Sequence, residues 1–82
     1  MKSFSRRVII EYNSAAPQWR AVGSVREAAE CLLGLWPEGS RGGVSFRTAL
    51  DACRSCLKGD LSPESARQAF IDAAMHAGIF VR

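Results

Sequence analysis

The sequence predicts an α+β fold in which a small sheet of about three strands is covered by three helices, in the order β-β-α-α-α-β. Segments rich in β-branched and aromatic residues lie near both ends of the chain, and three segments with helical periodicity lie between them. The helical segments also carry recognisable start and stop signals. Because strands and helices are segregated along the chain rather than alternating, these observations favour α+β over a parallel α/β arrangement.

The composition is that of one small domain spanning residues 1–82. Of the 82 residues, 48% are apolar and 23% are charged, with a net charge of +3. A chain of this composition is expected to fold rather than to remain disordered. No apolar run approaches the roughly 18–20 residues that cross a bilayer, and none near the N-terminus is long enough for a signal peptide. We therefore expect a cytoplasmic protein with no membrane partner.

Two strands are predicted at the start of the chain and one at its end. Residues 6–12 are rich in β-branched and aromatic residues, and residues 13–17, which follow them, are rich in turn formers. Residues 18–23 alternate in polarity, so the two segments are expected to pair as an antiparallel hairpin. Residues 79–82 are expected to return to the sheet as a short strand.

The first helix is expected to start at a capping box. The hydroxyl of Ser24 can accept from the amide of Glu27, while the Glu27 carboxylate reaches back to the Ser24 amide. Pro37 ends this helix, which carries Trp36 on its apolar side.

The second and third helices are also marked by their sequences. The second begins near Ser45 after a flexible connector, residues 38–43, and ends before Gly59. Ser62 is the expected N-cap of the third, which ends before Gly78. The core stripe of the second helix is predicted to contain Phe46, Ala49, Leu50, Cys53 and Leu57. The third is expected to bury Ala66, Ala69, Phe70, Ala73, Ala74 and Ala77.

Several separated blocks carry a resemblance to a known family. They are residues 24–29 (Ser-Val-Arg-Glu-Ala-Ala), 35–37 (Leu-Trp-Pro), 49–53 and 62–74. With these blocks the chain resembles a family of small, uncharacterised proteobacterial proteins that carry a domain of unknown function, from about residue 19 to residue 81. The resemblance implies a stand-alone α+β domain with no assigned activity, cofactor or catalytic residue.

The cysteines and the single histidine raise redox and zinc interpretations. Cys53 and Cys56 form a CxxC in the last two turns of the predicted helix, where the helix dipole disfavours a thiolate. A zinc site would also need Cys31 and His76, which are single and distant in sequence. We therefore expect core packing for the cysteines and a surface position for His76, with no metal, no cofactor and no enzymatic activity.

A basic stripe on the second helix suggests one binding function. Arg47, Arg54 and Lys58, with Arg41 in the preceding loop, could hold an anion or follow a nucleic-acid backbone. Asp51 lies among them and is expected to pair with Arg47 at i, i+4, which is typical of a solvated, salt-bridged face. Nucleic-acid binding is therefore the alternative interpretation.

The leading interpretation is a non-catalytic protein-interaction or binding module. On the third helix Ile71 and Met75 lie outside the predicted core stripe, next to Arg67. An apolar centre with a polar rim is typical of an interface. Residues Arg67, Ile71 and Met75 are therefore the predicted interaction surface, either for a second copy in a homodimer or for another protein.

Overall fold

A computed structural model describes residues 3–11 and 18–81. The elements are β1 (Ser3–Glu11), β2 (Trp19–Ser24), α1 (Val25–Gly34), a 3-10 turn (Glu38–Ser40), α2 (Val44–Lys58), α3 (Pro63–His76) and β3 (Phe80–Val81). The predicted α+β class, the antiparallel pairing of the first two strands and the three helices are confirmed. The turn predicted at residues 13–17 lies outside the described residues, as do Tyr12 and Arg82.

The strands form an antiparallel sheet in the order β2-β1-β3. Val8 of β1 lies opposite Val22 of β2, and Ile10 lies between Arg20 on one side and Val81 on the other. The first strand starts at Ser3 rather than at residue 6, and its register with β2 shifts between Ser3 and Val8. The added segment is anchored because the side chain of Phe4 is buried.

The start of α1 forms as a capping box with one altered partner. The Ser24 hydroxyl accepts from the Glu27 amide at 3.2 Å, as predicted. The Glu27 carboxylate accepts from the Gly23 amide at 3.0 Å instead of from the Ser24 amide. The helix ends at Gly34, before the predicted boundary, so Trp36 lies beyond the helix. Its side chain is nevertheless buried, as expected for a core residue.

The core lies between one face of the sheet and the helices. Val8, Ile10 and Val22 are fully or almost fully buried on that face. The Trp36 ring lies with its centroid 5.5 Å from that of Phe70 and 6.4 Å from that of Phe46, in tilted arrangements. Such aromatic contacts add to the stabilisation from apolar burial. They join α2 and α3 to the segment that follows α1.

The buried stripe of α2 is rotated from the predicted one. Its centre is formed by Ala49, Cys53 and Cys56, all fully buried, whereas Leu57 is 51% exposed. The prediction that Leu57 belongs to the core is therefore wrong. The physical reason is that α2 packs between α1 and α3, and small side chains at the centre of its buried face allow both helices to approach.

The third helix follows the prediction closely at its core. Its fully or almost fully buried residues are Ala66, Phe70, Ala73 and Ala74. Phe70 is therefore the one large buried side chain on a face of alanines, which permits close packing against α2 and the sheet. The Ser62 hydroxyl accepts from the Ser65 amide at the start of the helix.

Candidate interaction surfaces

An apolar groove lies where α3 meets the edge strand β3. We call it the α3–β3 groove; its volume is about 520 Å³, and its lining residues are Ile71, Met75, Gly78, Ile79 and Val81. The side chain of Met75 is 65% exposed, while Ile71 is half-buried and packs against the core. The structure thus brings two of the predicted surface residues together and adds three from the chain's end.

Contrary to the prediction, Arg67 does not line this groove. Its guanidinium donates to the backbone oxygen of Arg6 at 3.1 Å and pairs with Glu64 at 3.2 Å. It therefore holds α3 against β1, because residue 67 faces the sheet rather than solvent. A hydrogen bond from Gln68 is the main cause that lowers the pKa of Glu64, and Ser5 and Arg67 act in the same direction.

The basic face of α2 contains an acidic residue at its centre. Arg47, Leu50, Asp51 and Arg54 line a shallow cleft of about 320 Å³. The salt bridge there joins Asp51 to Arg54 at 3.9 Å, rather than to Arg47 as predicted. Lys58 is exposed in the last turn of the same helix. Because Asp51 neutralises part of the charge, the attraction of this face for a phosphate backbone is reduced.

Arg41 does not extend the basic stripe of α2 as predicted, because its guanidinium is hydrogen-bonded to backbone oxygens. Its guanidinium donates to the backbone oxygens of Leu33 and Trp36, at 3.2 Å and 3.3 Å. The Leu33 carbonyl lies in the last turn of α1, where a helix leaves oxygens without partners and favours positive charge, and the Trp36 carbonyl lies two residues past that end. The segment predicted as a flexible connector is therefore a 3-10 turn followed by a residue that caps the preceding helix.

The three cysteines are buried free thiols. Burial raises the pKa of the Cys53 thiol to about 11, and the neighbouring Cys56 acts in the same direction. Burial likewise raises the pKa of Cys31, although Arg20 opposes the effect. At Cys31 and Cys53 the thiolate that nucleophilic or redox chemistry needs is therefore disfavoured at neutral pH. No set of three metal-ligating side chains is found among residues 3–11 and 18–81.

His76 is exposed in the last turn of α3, as predicted. Its Nδ1 lies 2.8 Å from the backbone oxygen of Asp72, to which it donates. The imidazole also lines a cleft of about 420 Å³ beside the first turn of α2, together with Gly43, Ser45 and Phe46. The histidine is thus fixed by the backbone of its own helix.

The face of the sheet opposite the helices is a further exposed surface. Strand alternation places Ile9 and Glu11 of β1 on this open face, opposite Ala21 and Trp19 of β2. Arg7 precedes them, and its side chain lies beside Gly23 of β2. Trp19 is 48% exposed, and Ala21 is exposed. Neither strand is covered there by a helix among the described elements, because α1 and α3 pack on the buried face.

Family comparison adds one finding to this geometry. The family model for proteins of unknown function named DUF982 matches residues 8–81. The chain belongs to the DUF982 family. No match was found for this DUF982 protein among curated proteins or among solved structures. In the described part of the chain, no helix has the length and apolar character needed to cross a membrane.

Sequence reasoning about this DUF982 domain found Ile71 and Met75 but missed the residues that complete their groove. Gly78 and Ile79 follow α3 directly, so the chain reversal at the end of the helix returns them beside it. The open face was also missed, because the face to which Trp19 belongs depends on the register with β1. The register follows from the burial of Val22, which lies opposite Val8 and faces the core.

Proposed function

We propose that this protein is a non-catalytic protein-interaction module that binds an extended apolar segment of another protein in the α3–β3 groove. The observation that supports it is that Met75, a large apolar side chain, is 65% exposed where it lines this apolar groove. A volume of about 520 Å³ lies within the range of ordinary ligand sites. Met adapts its shape to different apolar partners, which suits a docking surface.

The neighbouring strand favours an extended partner. In the order β2-β1-β3, β3 pairs with β1 on one side and forms an edge of the sheet on the other. An edge strand offers backbone groups to an added strand, and a pocket beside it selects the side chains of that strand. Here Val81 of β3 and Met75 of α3 both line the groove.

The non-catalytic part of the proposal is supported by the state of the reactive groups. The thiols are buried with raised pKa values at Cys31 and Cys53, and His76 is fixed by its own helix. Nucleophilic catalysis requires an activated nucleophile with a base in hydrogen-bond reach. The arrangement of these groups favours a structural role.

A photo-crosslinking experiment tests the groove. A photoreactive amino acid replaces Met75 in one variant and Leu57 in a matched control, since Leu57 is a similarly exposed apolar residue on a different helix. In cells of the source organism, we expect a protein adduct at position 75 that is absent at position 57. The crosslinked segment, made as a synthetic peptide, should shift the amide resonances of residues 71–81 and lose at least tenfold in affinity for Met75→Glu.

Four outcomes would contradict the proposal. They are equal adducts at positions 75 and 57, a nucleic-acid adduct in place of a protein, an adduct to a second copy of the same chain, or a peptide that binds Met75→Glu as tightly as wild type. An adduct to a second copy of the same chain would show that the groove serves self-association instead. Circular dichroism of each variant checks that the fold is retained.

A further inference from the structure

The open face of the sheet carries a charge pattern that is complementary to itself. We propose that two copies of this chain stack their open faces about a two-fold axis, with Arg7 of each copy opposite Glu11 of the other. This self-association uses a surface separate from the α3–β3 groove. It is therefore independent of the function proposed above.

The pattern is read along β1. Ile9 and Glu11 alternate with the buried Val8 and Ile10, so they share the open face, and the side chain of Arg7 lies beside Gly23 on the same face. In chain order, Arg7, Ile9 and Glu11 are positive, apolar and negative. At about 3.3 Å per residue, the two charges lie about 13 Å apart at opposite ends of the apolar centre.

Only one orientation of two stacked sheets pairs these charges. An axis that lies between the sheets and runs perpendicular to the strands reverses the strand direction but keeps β1 over β1. It places Ile9 over its own copy and each Arg7 over the other chain's Glu11. An axis parallel to the strands would instead place Arg7 over Arg7, which is repulsive. The charges thus select an isologous, closed dimer.

Strand β2 is also complementary in shape to β2 of the second copy under the same axis. Along β2 the open-face positions are Trp19, Ala21 and Gly23, which fall from the largest side chain to none. The axis places Trp19 of one copy over Gly23 of the other. There the arm of Arg7 and the carboxylate of Glu27 both border the glycine, since a Cβ built at Gly23 would lie 3.4 Å from Arg7 Cγ and 3.5 Å from Glu27 Oε1. An indole ring can pack on that arm and contact the guanidinium.

The size of the face sets the strength of the association. The face is two strands wide along most of its length, about 10 Å at about 4.8 Å per strand, because β3 pairs only with Ile10 and Glu11. A contact of this size belongs with small, transient interfaces rather than with obligate dimers. The dimer is therefore expected at high protein concentration and should dissociate on dilution.

Charge exchange tests the pairing directly by sedimentation equilibrium. Arg7→Glu alone and Glu11→Arg alone should each weaken the dimer by about tenfold or more, because both contacts become repulsive. An equimolar mixture of the two variants should form a heterodimer, since the two acidic side chains of one variant then face the two basic side chains of the other. The variant with both changes in one chain should dimerise like the wild type.

A second substitution tests the centre of the face. Ala21→Asp places two like charges at the axis and should abolish the dimer, whereas Thr48→Asp, at an exposed position on α2, should not. Fluorescence gives an independent readout because Trp36 is buried and Trp19 is half exposed. Quenching by acrylamide should therefore fall as the wild type is concentrated, while Ala21→Asp shows no such change.

The proposal would be overturned by a wild type that stays monomeric at high concentration. It would also be overturned if the Arg7→Glu and Glu11→Arg mixture associates no better than either variant alone. Thermal unfolding at low concentration checks that each variant is folded. Where Arg7→Glu fails to fold, the Ala21→Asp and Thr48→Asp pair still decides the matter.

Discussion

Two glycines at the ends of neighbouring helices should respond to the same substitution with opposite signs. Gly59 follows α2 with a φ of 91°, in the left-handed region, and its amide donates to the Cys56 oxygen at 3.0 Å. Gly34 is the last residue of α1 and is not among the described glycines with positive φ. A Cβ at either position would meet no atom within 4 Å. The difference is therefore one of backbone conformation and not of steric contact.

The magnitudes follow from that difference. Gly59→Ala should lower the free energy of unfolding by about 1–2 kcal/mol, the cost of placing an L-residue in the left-handed region. Gly34→Ala should raise it by about 0.5–1 kcal/mol, since alanine loses less conformational entropy in a helix than glycine does. In a domain of this size, about 1 kcal/mol corresponds to a shift of roughly 4–8 °C in Tm.

Chemical denaturation with urea provides the assay. The two variants should move the midpoint in opposite directions while the slope of free energy against urea stays constant. A neutral Gly59→Ala, or a Gly34→Ala that destabilises as much as Gly59→Ala does, would refute the reasoning. The first result would mean that the end of α2 does not require a left-handed residue, and the second that Gly34 is held by something other than helical backbone.

Two further predictions concern the remaining polar groups. Arg41→Ala should lower the free energy of unfolding by about 1 kcal/mol, because two carbonyls at and just past the end of α1 lose their donor; urea denaturation should show Arg47→Ala, the exposed control on α2, within about 0.5 kcal/mol of wild type. The pKa of Cys53 is about 11 in the folded protein against an ordinary 9.0. The folded state therefore holds this proton more tightly than the unfolded state does, and the resulting contribution to the free energy of unfolding is complete below pH 9 and lost as the pH rises from 9 to 11. Tm measured across this range should fall less steeply for Cys53→Ala, and equal slopes would contradict the assignment.

The signals that predicted the fold well are local ones. Ser24 and Ser62 mark helix starts because each hydroxyl accepts a hydrogen bond from the amide three residues later, that of Glu27 or of Ser65. The positions of Gly59 and Gly78 are likewise local requirements of helix ends. These features formed where they were expected because they depend little on the rest of the chain.

The signals that failed depend on tertiary contacts. Leu57 fits the periodicity of α2, yet the buried face is rotated toward Cys56 by the need to pack two other helices. Arg67 is polar and lies beside Ile71 on the helix, but the oxygen of Arg6 that it binds is 61 residues away in sequence. Arg41 similarly binds carbonyls of a different element. Helical projection contains no information about such partners.

The burial of all three thiols makes the native chain its own reporter of local opening. A thiol-reactive dye reaches a buried cysteine only when the structure around it opens. Cys31 lies in α1, whereas Cys53 and Cys56 lie in α2. Mass spectrometry of the labelled peptides would therefore follow two helices in one sample, without any substitution. Equal labelling rates would mean that the two helices open together, and a faster helix would be the first to leave the core.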